Sequence, residues 1–384
     1  MTSSGGRDST PGSVSLAVGI PYGPLILTLA MQTLATMAAF SAPTLAPKIA
    51  EDLGVDGHLI GFFVSTVYGI GIFSALLSPD FIQKFGAVRV GQFVMLGVIA
   101  MLAIAGSGGL YALAFCAVVL GVGYGATAPV STHLLIPRQI GVPLGGVLGA
   151  LILPFLAVEF GWRIAFWAQL VPAALLLLWF QYYRNSWDAG RNRAHRLFKG
   201  ELLRPFYLLR DNHLMRLLAI ASFSYAGIQL CFIGFMALHL TEMTGLNLIA
   251  AGQVLALYQI AGVASRPLWG WIADRYITSI RLLGVLGLVM GMAAIAAGQL
   301  SDSWSIWSVL LVAIVAGATA SGYTGIAYGA FAAFSGKYRT EATALGSGAM
   351  FAGVLIMPTV FGLIVGDAAH YWQAYGVMAL IAAA

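Results

Sequence analysis

Long apolar runs recur along the whole chain, and they constrain its fold more than any other feature. Twelve of them alternate with short polar segments, and a helix that crosses a bilayer needs about 20 apolar residues. In lipid, only helices satisfy all their backbone groups within one segment, and the short alternating segments of a β-barrel do not occur in this sequence. The runs lie near residues 25–47, 57–78, 88–107, 110–136, 141–159, 164–182, 214–238, 247–270, 280–300, 305–333, 341–366 and 371–384.

The composition supports an all-α membrane protein and excludes several other classes. Apolar residues make up 60% of the 384 positions and charged residues 9%, whereas a soluble domain has about 25% charged residues. The net charge of +5 is spread over the short gaps between runs, without the basic face of a nucleic-acid-binding protein. Both cysteines, Cys116 and Cys231, lie inside apolar runs and are interpreted as small hydrophobic residues. The sequence has no phosphate-binding loop and no Cys/His cluster, so we expect no ATP-driven pump, enzyme, metal site or cofactor.

The two ends of the chain differ from the runs between them. Residues 1–23 are rich in Ser, Gly and Pro and lack the pattern of a signal peptide, so we expect a disordered cytoplasmic tail. The last run, 371–384, would span about 21 Å as a helix, which is short of a hydrocarbon core of about 30 Å. This length predicts that the chain stops inside its twelfth helix.

The distribution of Lys and Arg predicts the topology. With a cytoplasmic N-terminus, 17 basic residues lie inside and only Lys48 and Arg163 lie outside, as the positive-inside rule requires. We therefore predict a multi-pass protein of the plasma (inner) membrane. Its domains are a six-helix bundle over 24–182, a basic cytoplasmic linker over 183–213 and a second six-helix bundle over 214–384, related by pseudo-two-fold symmetry.

Two sequence echoes support this duplication. A short basic turn follows the second run, at Pro79–Arg89, and another follows the eighth, at Gly270–Ile277. Ile152-Leu153-Pro154 in the fifth run is matched by Ile356-Met357-Pro358 in the eleventh. Equivalent positions in the two halves therefore carry similar residues.

The basic turns resemble the loop signature of the major facilitator superfamily, Gly-x-x-x-Asp-Arg-x-Gly-x-Arg. Gln83 stands where the first copy should have its acid. A glycine-rich stretch from Gly121 to Pro129 resembles the fourth helix of this family, although Ala117 replaces its usual Arg. The residues that match the loop signature, including a preceding Arg, are Lys84, Gly86 and Arg89 in the first half and Arg266, Gly270, Asp274 and Arg275 in the second.

The resemblance covers residues 24–384 and implies a secondary transporter that works by alternating access, normally as a monomer. In this family the loop residues latch the halves together at a cytoplasmic gate, where a carboxylate pairs with an Arg and a helix dipole. With Gln83 in place of the acid, the first-half latch should be weaker or built differently. Simple positive-inside anchoring is the alternative, above all for Lys84 and Arg89.

Polar side chains form stripes at helical spacing in the first, fourth, seventh and tenth runs. The resemblance implies that these helices line a central substrate cavity. For each Ser or Thr alone, a bond to its own helix is an alternative. The predicted cavity residues, with two from the eighth run, are Gln32, Thr36, Tyr124, Thr127, Ser131, Tyr225, Gln229, Tyr258, Gln259, Thr324 and Tyr328.

Few titratable groups lie deep in the runs. No carboxylate falls near a midplane, and His133 with the nearby Arg138 form the candidate proton or anion site. The alternatives are a hydrogen-bonded histidine in helix packing and an arginine that only sets the topology. We therefore expect a carrier for a small neutral, amphipathic or organic-anion solute. It would be driven by a proton or solute gradient, as symporter or antiporter, or act as a facilitator. Efflux of lipophilic compounds is the alternative, because an apolar cavity would permit it.

Overall fold

The computed structural model of the chain describes residues 22–134, 141–188, 191–195, 197, 209–210, 212–334, 339–366 and 369–384. These residues form helices joined by short turns, and none of them lies in a strand. The α-helices are α1 (Tyr22–Thr44), α2 (Ala46–Leu53), α3 (Ile60–Phe85), α4 (Ala87–Ser107), α5 (Leu110–Tyr124), α6 (Thr127–Leu134), α7 (Gly141–Phe160), α8 (Trp162–Trp167), α9 (Leu170–Trp187), α10 (His213–Met243), α11 (Leu248–Arg275), α12 (Ser279–Gly298), α13 (Ile306–Ala316), α14 (Thr324–Phe334), α15 (Arg339–Val365) and α16 (Tyr371–Ala383).

Eleven helical segments in the described part of the chain are long and apolar enough to cross a membrane. They coincide with the first eleven predicted runs. The fourth, sixth and tenth runs are each built from two successive helices, namely α5 with α6, α8 with α9, and α13 with α14. The twelfth run forms α16, which has 13 residues.

Short polar residues define where several spans begin. The side chain of Asn212 accepts hydrogen bonds from the amides of Leu214 and Met215 at the start of α10, at 3.0 and 3.3 Å. Asn247 accepts from the amide of Ala250 at 2.8 Å and starts α11 in the same way. Such caps satisfy amides that have no partner inside the helix.

Two equivalent contacts join the first six spans to the last six. Helix α3 packs along α15, and α7 packs along α11. A Cβ placed on Gly61 of α3 would lie 2.3 Å from the carbonyl oxygen of Pro358 in α15, and one placed on Gly252 of α11 would lie 2.6 Å from Cγ of Pro154 in α7. The matched prolines of the sequence thus lie at matched interfaces, where glycine allows a close approach of two helices.

Gly61 and Gly252 lie near the starts of α3 and α11, and each of these helices follows a predicted extracellular loop. On the same side, the hydroxyl of Thr359 donates to Ser65 Oγ across the two halves at 2.8 Å. A Cβ placed on Gly362 would lie 2.7 Å from the carbonyl oxygen of His58. The halves are therefore tightly packed together at this end of the molecule.

A short π-helix, Gly317–Ser321, interrupts the tenth span between α13 and α14. Such widened turns are common at functional sites because they re-aim side chains and free backbone groups. Helix α11 packs directly against this segment. The polar cluster described next is built around it.

Candidate functional site

Polar side chains of α10, α11 and the π-helix meet inside the second half. The amide of Gln229 donates to Ser321 Oγ at 3.2 Å. The guanidinium of Arg266 reaches the carbonyl oxygen of Ser321, with 3.4 Å between Nη2 and the oxygen. The ring of Tyr225 packs against that of Tyr323, with 4.8 Å between centroids. We call these five residues the arginine cluster.

Arg266 is the charged centre of the arginine cluster. It lies within the membrane-spanning segment Leu248–Arg275, about two thirds of the way along it. Its Nε atom is buried without a hydrogen-bond partner, and no carboxylate of the described residues lies within 4 Å of its guanidinium. A cation inside the membrane is costly without a counter-ion, so this guanidinium is a place where an anion would be stabilised.

Small residues bring the backbone of the π-helix close to α11. A Cβ placed on Gly317 would lie 2.1 Å from the carbonyl oxygen of Tyr258, and one placed on Gly262 would lie 2.5 Å from Cβ of Ser321. Trp269 Nε1 and Ser265 Oγ donate to the carbonyl oxygen of Ala318, at 2.7 and 3.0 Å. These bonds fix the π-helix, and therefore the carbonyl that Arg266 contacts.

The first half has a smaller polar group. The hydroxyls of Tyr68 and Tyr124 share a hydrogen bond of 3.3 Å, and their rings meet edge to face. Gln32 is 4% exposed, and its Nε2 has no partner. Thr36 is fully buried nearby on the same helix. The amide of Gln32 and the hydroxyl of Thr36, one helical turn apart, are therefore both buried on one face of α1.

Other predicted cavity residues are bound to the protein itself. The hydroxyls of Thr127 and Ser131 donate to backbone carbonyls of their own helical turn, at 2.7 and 2.8 Å, which is the alternative that the sequence left open. Gln259 lies against Gly146 in the interface between α7 and α11, since a Cβ on that glycine would lie 2.5 Å from Nε2. Tyr328 shares a hydrogen bond of 3.0 Å with Ser347.

Four further candidates are placed less specifically. Tyr258 is fully buried, its hydroxyl has no partner, and its ring lies 5.8 Å from that of Phe232. Thr324 is partly exposed at the start of α14. His133 belongs to helix α6, but its side chain lies outside the described part of the chain, and so does Arg138. A proton or anion role for these two residues stays a prediction.

The loop between α3 and α4 shows how the first half manages without an acid at position 83. The carboxylate of Asp188, at the end of α9, accepts from the amides of Val88 and Arg89 at 2.9 and 3.1 Å. Gly86 has φ of +99°, and a Cβ there would lie 2.1 Å from Cγ of Asp188. A carboxylate about 100 residues away in the sequence therefore caps α4. Lys84 lies over the ring of Phe85.

The second-half loop residues do not form a cluster with Arg266. Asp274 and Arg275 are exposed at the end of α11, and no ion pair of Asp274 is found among the described residues. Gly270 has open space around it. The cytoplasmic latch stays a prediction, whereas Arg266 contacts the π-helix.

The sequence did not identify three features of these sites. Asp188 was missed because its partners are distant in sequence, and Tyr323 because it falls outside the polar stripe of its run. Arg266 was assigned to the gate by its place before the loop signature. A signal was available, since it is an arginine inside the apolar run 247–270, and the next acidic residue, Asp274, lies eight positions further along the chain.

Comparisons with known proteins agree with this architecture. Residues 138–322 match the family model described as Major Facilitator Superfamily. The 4-hydroxybenzoate transporter of Acinetobacter baylyi is 27% identical over 300 residues, which are 66% of this chain and 65% of the relative. The chain thus spans just under two thirds of that relative. The hexuronate transporter of Bacillus subtilis is 24% identical over 288 residues, which are 68% of this chain and 67% of the relative.

A solved structure shares the fold over nearly the full length. A crystal structure of a nucleoside transporter superposes with a TM-score of 0.76 over 94% of this chain and 97% of that chain, at 14% identity. The helices, their order and their packing are therefore those of a known transporter fold, and the matched relatives are transporters.

Proposed function

We propose that the chain is a member of the major facilitator superfamily and that it carries a small organic carboxylate across the membrane by alternating access. The observation that carries this proposal is Arg266, a guanidinium in a membrane-spanning helix with a buried Nε lacking a partner and no carboxylate of the described chain beside it. An intramembrane cation without a carboxylate counter-ion is a functional-site hypothesis by default.

Two relatives support the carboxylate class. The solutes for which they are named, 4-hydroxybenzoate and hexuronate, differ in ring chemistry, but each carries one carboxylate and at least one hydroxyl group. A guanidinium matches the two oxygens of a carboxylate through two parallel hydrogen bonds. The amide of Gln229 and the hydroxyl of Ser321, which bond each other at 3.2 Å, would exchange that bond for hydroxyl groups of the solute.

The rest of the mechanism follows from the two halves. The glycine contacts of Gly61 and Gly252 close one end of the interface, on the side that we propose is extracellular. Rocking of the halves about the central region would open that end and close the other. We also propose a monomer in the plasma membrane with a cytoplasmic N-terminus, and coupling to a proton or solute gradient.

Ligand-dependent melting of the purified chain in detergent tests this proposal. A solute that binds the native state raises the melting temperature by mass action. We expect a saturable increase with 4-hydroxybenzoate or a hexuronate, and none with the uncharged amide of the same ring. In Arg266→Gln the apparent affinity should fall about 10- to 150-fold, because a hydrogen bond to a charged group contributes about 1.5–3 kcal/mol.

Arg281→Gln is the matched control, since it removes one exposed arginine outside the cluster and should bind as wild type. Lipophilic cations and neutral drugs complete the panel. If only these stabilise the protein, and Arg266→Gln responds as wild type, efflux of lipophilic compounds is the function and the carboxylate proposal is wrong.

A further inference from the structure

A second basic site lies at the membrane boundary, away from the arginine cluster. A cleft of about 740 Å³ is lined by Arg89 of α4, Asn185 of α9 and the turn of residues 191–194. That turn contributes Arg191 and Arg193. We propose that this cleft, the basic cleft, binds the phosphate headgroup of an anionic phospholipid such as phosphatidylglycerol.

The charges of the basic cleft are only partly offset by the protein, since Asp188 is the one carboxylate that acts on Arg191 among the described residues. The nearest carboxylate, Asp188, has its two oxygens bound to the amides of Val88 and Arg89. Arg191 Nη1 donates to the carbonyl oxygen of Asp188 at 3.2 Å. None of Arg89, Arg191 and Arg193 has an ion pair with a carboxylate of the described residues.

The arginines repel one another. Partial burial, followed by the nearby Arg89 and Arg193, lowers the pKa of Arg191 below its ordinary value. An anion that enters between like charges held together in this way lowers the electrostatic free energy of the site. Guanidinium groups bind phosphate oxygens through paired hydrogen bonds.

The surface next to the cleft indicates a lipid as the occupant. One helical turn from Arg89, Phe93 is 68% exposed, and on the facing helix Leu178 and Tyr182 are 67% and 79% exposed. Side chains four residues apart share a helix face. An acyl chain lying on this apolar surface of α4 and α9 would place its headgroup in the basic cleft. A soluble phosphate would make no use of this surface.

The fold holds the cleft together through several contacts. Gln92 donates to Gln181 at 2.8 Å and joins α4 to α9 beside it. The amide of Asn192 donates to the carbonyl of Gln83 at 2.9 Å, and His195 bonds Asp80 at 2.9 Å. These contacts fix the basic turn, which is part of the predicted linker, against the loop between α3 and α4. A headgroup bound between Arg89 and the turn would add a further link between the linker and the first half.

Melting of the full chain in mixed micelles tests this proposal. The micelles contain phosphatidylcholine, to which phosphatidylglycerol is added in steps. Each arginine near an anionic headgroup contributes about fivefold in affinity. Arg191→Gln with Arg193→Gln should therefore lower the apparent affinity for phosphatidylglycerol, read from the rise in melting temperature, about 25-fold. The control double variant, Arg216→Gln with Arg281→Gln, removes two exposed arginines elsewhere and should shift less than twofold.

Three results would overturn the proposal. Phosphatidylglycerol could fail to stabilise the wild-type chain, or the two double variants could respond alike. Millimolar inorganic phosphate could stabilise the wild type equally and remove the lipid effect, which would mark a site for soluble anions. If the first double variant does not fold, Arg191→Lys with Arg193→Lys replaces it. That variant keeps the charge but loses the paired geometry, so its affinity for phosphatidylglycerol should fall by more than the twofold limit of the control and by less than about 25-fold.

Discussion

The contact of Gly252 with α7 predicts how one substitution should shift the balance between the two open states. A Cβ at Gly252 would lie 2.4 Å from the carbonyl oxygen of Ala150 and 2.6 Å from Cγ of Pro154. Neither a helical carbonyl nor a proline ring can move aside easily. Gly252→Ala should therefore force the halves apart at the end that is closed in the structure.

The magnitude follows from packing. Overpacking a close contact costs about 1–3 kcal/mol. The better helix propensity of Ala, about 1 kcal/mol, applies to both open states and cancels. The population open at this end should therefore increase about 5- to 150-fold.

Thiol labelling measures this population. Ser65 is 5% exposed and bonds Thr359 across the halves at the same end, so Ser65→Cys reports when they separate. Both native cysteines are fully buried, which keeps the background low. With a membrane-impermeant maleimide, Gly252→Ala should label faster by the factor given above.

Gly149→Ala is the matched control on the partner helix. Its Cβ would meet Met37 at an ordinary distance of 3.5 Å, so labelling should stay at the wild-type rate. If Gly252→Ala labels no faster than Gly149→Ala while both remain folded, the glycine contact does not hold the halves together and the reasoning fails.

Two further predictions concern stability. Asp188→Ala should lower the free energy of unfolding by about 1–2 kcal/mol, because two amides at the start of α4 lose their acceptor. The melting temperature reports this loss of stability. An unchanged melting temperature would contradict the role of Asp188 as a cap of α4. For Asp52, hydrogen bonds from Arg163 and Trp162 lower its pKa below the ordinary 3.8. The stabilisation is therefore present above pH 3.8 and is lost as the pH falls through the lower native pKa. Asp52→Asn should melt at a slightly lower temperature than the wild type at neutral pH, and this difference in melting temperature should disappear in acid. A difference that is constant with pH would refute the ion pair between Asp52 and Arg163.

The sequence predicted the spans well because lipid imposes their length. A helix must cover about 30 Å of hydrocarbon, so apolar runs indicate helices with little dependence on distant contacts. The matched prolines also gave a correct clue, since Pro154 and Pro358 lie at equivalent interfaces. Local rules likewise explain why Thr127 and Ser131 bond their own helix.

The polar sites were harder to predict because they depend on contacts between distant segments. Asp188 caps a helix that begins about 100 residues earlier, and no local pattern indicates that partner. Arg266 was assigned by a loop signature, whereas its surroundings come from the π-helix of another span. That π-helix follows from packing against α11, which periodicity alone does not reveal.

Counterflow in proteoliposomes tests the central claim most directly. Vesicles are loaded with unlabelled 4-hydroxybenzoate or a hexuronate and diluted into a trace of the same labelled acid. A carrier that alternates between two open states exchanges the solutes, so the label should accumulate transiently inside. We expect this overshoot with the wild type and with Arg281→Gln, and its loss with Arg266→Gln. No overshoot with any carboxylate, or an equal overshoot with Arg266→Gln, would contradict the account.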